Sequence, residues 1–127
     1  MAYITHWEDR GIYWRYTGML TLDEMHRAND ELIRDPRFDD ITYQISDFLE
    51  VEGIDLPTDK MESVTKQLAC LDLAAAKTNP HVKAVIIVDS EEFHTLAEIY
   101  AEIVNKSPWQ VYITDTMQDA RRWIAEK

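Results

Sequence analysis

Apolar and polar residues alternate at the start of the chain, and then the period changes. Tyr3, Thr5 and Trp7 fall on one side of an extended segment, and Ile12, Trp14 and Tyr16 do the same after the polar Glu8-Asp9-Arg10-Gly11. Two β-rich runs around a short turn with glycine predict an antiparallel hairpin. From Leu22 the spacing is helical, with Leu22, Met25, Asn29 and Leu32 on one face. Thr21 and Glu24 have the spacing of a capping box, Leu20 and Met25 fit a hydrophobic staple, and Asp35-Pro36 ends the helix. Strand and helix then repeat. "ITYQISDF" reads as a strand, and "TDKMESVTKQLACLDLAAAKT" as a helix with Met61, Val64, Leu68, Leu71 and Ala75 on its inner stripe. "KAVIIVD" is the near-continuous apolar run of a strand covered on both faces. "SEEFHTLAEIYAEIVNK" is a helix built on Phe93, Leu96, Ala97, Tyr100, Ile103 and Val104, "WQVYITD" a fifth strand, and "TMQDARRWIAEK" a last helix with Met117, Ala120 and Ile124 inward.

The predicted order is β-β-α-β-α-β-α-β-α, an α/β sandwich with a mixed, mostly parallel five-stranded sheet. Helices between strands demand parallel pairing through right-handed crossovers, while the first strand is antiparallel. No linker, repeat or low-complexity segment divides residues 1–127, so a single domain is expected.

Composition narrows the function classes. The 127 residues are 46% hydrophobic and 29% charged, which is globular, and no apolar run approaches the ~20 residues of a membrane span. The first residues show no basic segment followed by an apolar one, so no signal peptide is expected and a cytoplasmic location is the default. The net charge of −11 opposes nucleic acid and anionic membranes, and Arg121-Arg122 with Lys127 reads as a complement to the last helix dipole. The lone Cys70 sits in an apolar helical run and reads as a small buried hydrophobe.

Ligands of open α/β sheets sit beyond the carboxyl ends of the strands, which here carry Asp47, Asp89 and Asp115. Asp89 with Glu92 and Asp115 with Gln118 have capping spacing, so caps account for both. Asp47 is separated from the next helix by an acidic stretch and is the candidate functional carboxylate. Residues 47–62 carry six acids (Asp47, Glu50, Glu52, Asp55, Asp59, Glu62) against Lys60. An EF-hand register that puts Gly53 in the turn puts Phe48 at the first ligand position, which excludes that calcium loop. The three glycines form no phosphate-binding pattern, the four histidines no zinc spacing, and no serine stands in a nucleophile elbow. His94 and Glu98 form an ordinary helix-surface pair. No enzyme, metal or cofactor is predicted, and the tryptophans read as core.

Taken together, "YTGMLTLDEM", "DPRFDDITYQISDF", "NPHVKAVIIVDS" and "SPWQVYITDTMQDARRWI" resemble the small bacterial SpoIIAA-like family, related to STAS domains. The resemblance implies the α/β sandwich of anti-sigma-factor antagonists, a fold also compared with CRAL-TRIO lipid-binding domains. In phosphorylated STAS antagonists the strand ends in aspartate followed by the acceptor serine. Asp47 matches the aspartate, but Phe48 stands where that serine would be, and "LEVEGIDLP" intervenes before a helix whose expected cap is Thr58. A phosphate on Thr58 or Ser63 would face Asp59 and Glu62.

Two classes of function follow. One is a non-enzymatic regulatory or protein-interaction module that docks a protein partner, or a second copy as a homodimer, through Asp47, Phe48, Glu50, Glu52, Asp55 and Thr58. The other is a carrier for a small apolar ligand or lipid, with a pocket between helices and sheet.

Overall fold

The computed structural model describes residues 3–126; Met1, Ala2 and Lys127 lie outside the described residues. The elements are β1 (Tyr3–Glu8), β2 (Gly11–Leu20), α1 (Leu22–Arg34), a short 3-10 helix (Pro36–Asp40), β3 (Tyr43–Ile54), α2 (Thr58–Thr78), β4 (Lys83–Ile87), α3 (Glu91–Val104), β5 (Gln110–Thr114) and α4 (Met117–Ala125). They follow the predicted order. The sheet runs β1-β2-β3-β4-β5, with β1 antiparallel to β2 and every other pairing parallel.

Each step from β2 to β5 moves one strand in the same direction. Right-handed crossovers therefore put α1, α2 and α3 on the same face. Their buried Ala28, Leu32, Ala69, Ala76 and Val104 pack with Ile12, Trp14 and Tyr16 of β2. No strand follows α4, which covers the opposite face, its Ala120 set against Ile45, Val85 and Ile87. Residues of β4 thus alternate, Val85 and Ile87 toward α4 and Ile86 toward α3.

Two anchors hold α4. Arg121 donates both arms of its guanidinium to the Glu8 carboxylate at 2.6 and 2.7 Å, and the Tyr43 hydroxyl donates to the same carboxylate. Arg121 is thus a tie to β1 and not only a balance for the helix dipole. At the other end, Lys83 Nζ donates to the Trp123 and Glu126 carbonyls at 3.2 and 2.6 Å, closing the C-terminal turn. Gly11 is required where Tyr43 crosses it, since a Cβ there would lie 2.1 Å from the ring.

The capping box at Thr21 forms, with Glu24 N donating to Thr21 Oγ1 and Thr21 N to Glu24 Oε1. Elsewhere the caps sit one residue later than the spacing predicts. Ser90 and Thr116, not Asp89 and Asp115, accept from the first turns of α3 and α4. Their hydroxyls follow the aspartates in chain order and already have the extended cap backbone. Thr58 is the first helical residue of α2, and Pro57 precedes it without a side-chain cap bond. Cys70 and Leu71 are exposed; Ala69 and Asp72 take the inner positions instead. The stripe of α2 advances by fours from Val64 through Leu68 to Asp72, which turns Leu71 outward.

Asn79, just past α2, knits the base of the core. Its Nδ2 donates to the carbonyls of Phe38 and Ile41 at 2.7 and 2.9 Å, its Oδ1 accepts from His81 N, and its own carbonyl accepts from Trp109 Nε1 at 2.7 Å. Asn79→Ala should cost about 2–4 kcal/mol, because it leaves two buried carbonyls without donors. Asn79→Asp should cost at least as much at neutral pH, since it turns an oxygen toward those carbonyls. Guanidinium unfolding of the three proteins checks this; a loss below about 1 kcal/mol for both variants would refute it.

Candidate functional site

The segment that the sequence presents as an acidic loop is strand. β3 pairs with β4 only as far as Asp47 opposite Ile87, but continues along β2 to Ile54 opposite Leu20. On the way it carries one extra residue between the Arg15 and Thr17 partners and another between those of Gly18 and Met19. Gly18, at φ +68, supplies the left-handed backbone beside the second irregularity. Each extra residue resets the alternation of faces. Phe48, Val51 and Ile54 therefore all face the helices, spaced by three instead of two.

The six candidate residues are not brought to one place. Asp47 is buried, with Oδ2 accepting from the Tyr13 hydroxyl at 2.7 Å and Oδ1 from Leu49 N at 3.0 Å. Burial, and then the Asp47 carboxylate, push the Tyr13 hydroxyl up to about 12. Each Asp47 oxygen is thus engaged within the fold. Phe48 points the other way and stacks on Tyr16, with centroids 4.8 Å apart and planes 4° from parallel. Glu50 pairs with Arg15 at 2.7 Å on the surface, which holds its carboxyl below the usual range. Glu52, Asp55 and Thr58 are exposed, and no ion pair among the described residues involves Glu52 or Asp55. His94 and Glu98 pair on the surface of α3 at 3.0 Å. Among the described residues no three His, Cys, Asp or Glu side chains converge on a metal position, and no helix is long and apolar enough to cross a membrane.

Behind Phe48 lies a cavity of about 150 Å³ between the sheet and helices α1, α2 and α3. Its walls are mostly apolar, among them Trp14, Tyr16, Val64, Phe93 and Ala97. Polar groups that the sequence did not single out as a site also line it. Asp72, 4% exposed, accepts from Asn29 Nδ2 at 3.2 Å and from the Tyr100 hydroxyl. Burial raises the Asp72 carboxyl from 3.8 to about 6, against the opposing effect of those two bonds. Tyr100 is raised as well, first by burial and then by Asp72. Gln44, also 4% exposed, lines the cavity, and its Oε1 accepts no hydrogen bond among the described residues. An aspartate in line with Val64 and Leu68, and a glutamine in an apolar strand, were the available signals.

The folded state binds the Asp72 proton more tightly than the unfolded chain. This contribution to stability is complete below about pH 4 and is lost as the pH rises through about 6. A rise from 3.8 to about 6 corresponds to on the order of 2–3 kcal/mol. Asp72→Asn should therefore gain on the native protein across that window and stay ahead at pH 7. Denaturant titrations at several pH values measure it, and a difference that is constant from pH 4 to 7 would sink the assignment.

Neither a protein-family model nor a curated protein matches the chain. Solved structures do. A DUF3478-family protein with a SpoIIAA-like fold from Shewanella loihica PV-4 is 19% identical, with a TM-score of 0.57 over 98% of this chain and 93% of that one. The unphosphorylated form of the anti-sigma factor antagonist SpoIIAA is 12% identical, with a TM-score of 0.64 over 99% of this chain and all of that one. The phosphorylated form of the Bacillus cell fate determinant SpoIIAA is 10% identical, with a TM-score of 0.56 over 97% and 99% of the two chains. The chain has the SpoIIAA-like fold.

Proposed function

We propose that the chain is a non-enzymatic regulatory domain of the STAS-like kind, which acts by docking a protein partner and has no serine phospho-switch. The observation that carries this reading is position 48. Where the resemblance puts an acceptor serine, Phe48 lies within a strand, its ring stacked on Tyr16, and α2 begins only at Thr58. A phosphoacceptor gains from a helix N-terminus and from access to a kinase, and Phe48 has no hydroxyl and no such helix end. Asp47, the neighbouring carboxylate, is committed to Tyr13 and Leu49. SpoIIAA, similar in fold, is an anti-sigma factor antagonist solved with and without its phosphate. Regulation by binding is the common denominator, and the switch is what differs here.

Docking is assigned to the exposed carboxylates of the β3 extension and the turn after it, Glu50, Glu52 and Asp55, on a chain of net charge −11. Such a surface suits a basic partner and should bind it less well as salt rises. The combined variant Glu50→Gln, Glu52→Gln, Asp55→Asn should fold normally, since the Arg15–Glu50 pair lies on the surface, where solvent screens it. Affinity capture from the native host, followed by titration of the captured protein, should show binding at least about tenfold weaker for the variant. Unchanged affinity would refute this surface. Intact-mass spectrometry of the host-purified chain should show no phosphate, and a phosphate on Thr58 or Ser63 would overturn the absence of a switch.

A further inference from the structure

We infer that the cavity behind Phe48 is a binding site for a compact, neutral, largely apolar molecule bearing one hydroxyl, such as a phenol, which donates its proton to Gln44 Oε1. The inference does not depend on the protein partner proposed above. Three observations carry it. The cavity holds about 150 Å³, the size at which an apolar protein cavity accepts a benzene ring, and too small for a long acyl chain. Its walls bring together aromatic and aliphatic side chains from the sheet and three helices, including Trp14, Phe48, Phe93 and Leu96. Gln44 lines it while 96% buried, and its carbonyl oxygen has no donor among the described residues.

A buried acceptor without a partner has lost its hydration with nothing in exchange, so Gln44 Oε1 favours a donor that can reach it. A water would need two to four polar partners to be held well there. Among the other polar residues on its wall, Asp72 already has both oxygens taken by Asn29 and Tyr100. Thr65 spends its hydroxyl on the Met61 carbonyl at 2.8 Å. Ser46, two residues along the same face of β3 and also on the cavity wall, adds a hydroxyl near Gln44. A ligand hydroxyl can donate to Gln44 and accept from Ser46, whereas a carboxylate or phosphate would face the Gln44 oxygen and Asp72. An ammonium would find no unclaimed carboxylate to offset its desolvation.

The test compares phenol with benzene, ring for ring, on the wild-type chain and on Gln44→Leu. Affinities come from titrating the methyl resonances of Val64, Leu96 and Ala97. Wild type should bind phenol at least about tenfold more tightly than benzene, from the added hydrogen bond at a desolvated acceptor. In Gln44→Leu the order should reverse, and the unliganded variant should melt higher than wild type because the orphaned acceptor is gone. If neither probe moves these methyls at millimolar concentration, the cavity is not a ligand site. If phenol binds wild type and Gln44→Leu equally, Gln44 is not the anchor. Should the variant fail to fold, the wild-type ratio decides alone, and a ratio of one or below overturns the inference.

Discussion

Three right-handed crossovers in succession, all stepping the same way across the sheet, are the constraint on which the rest of this structure depends. They oblige α1, α2 and α3 to share one face, while the other receives α4 alone. The crowded face packs with small residues, Ala28, Ala69, Ala75, Ala76, Ala97 and Ala101 being buried there. Close helix approach is what alanine permits. The sparsely covered face instead needs discrete ties, which Arg121 to Glu8 and Lys83 to the end of α4 provide. The two faces are thus stabilised by different physics, one by apolar packing, the other partly by charge-assisted hydrogen bonds.

Much of this architecture was legible from periodicity. The hairpin, the sequence of elements and the capping box at Thr21 follow from spacings of two and 3.6 with local turn chemistry, all contained in short windows. What was not legible lies where one short-range rule competes with another. Phe48, Val51 and Ile54 are spaced by three because β3 carries two extra residues, and a spacing of three inside a strand looks like its end. The caps at Ser90 and Thr116 adjoin aspartates that satisfy the same spacing rule one residue earlier. Backbone conformation, not residue type, decides between such neighbours.

The candidate site was less legible than the fold, for a different reason. Asp47 drew notice because it ends an apolar strand core, yet its partner Tyr13 is 34 residues away. Asp72 sat unremarked beside the stripe of α2, and the groups that make it tolerable there, Asn29 and Tyr100, come from helices 43 and 28 residues distant. Gln44 is defined by what it lacks, and an unpartnered oxygen has no signature in a string of residues. Local patterns specify elements; polar satisfaction in a core is settled only when the elements meet.

The β3 extension joins the two functional readings physically. Beyond Asp47 it is no longer braced by β4 and is held in the sheet by β2 alone. Its inward residues, Phe48, Val51 and Ile54, line the cavity, while Glu50, Glu52 and Asp55 are exposed to solvent. On the two proposed readings, a molecule that fills the cavity would order one side of this ribbon, and a protein that docks on the carboxylates would order the other. Whatever free energy the first event spends or saves in fixing the ribbon must appear in the affinity of the second, and the reverse holds by thermodynamic reciprocity. A covalent phosphate would act through charge, whereas an apolar ligand behind Phe48 would act through the packing under a strand. On the proposed readings both kinds of control would bear on the segment after Asp47, so a residue without a hydroxyl at position 48 is compatible with regulation there.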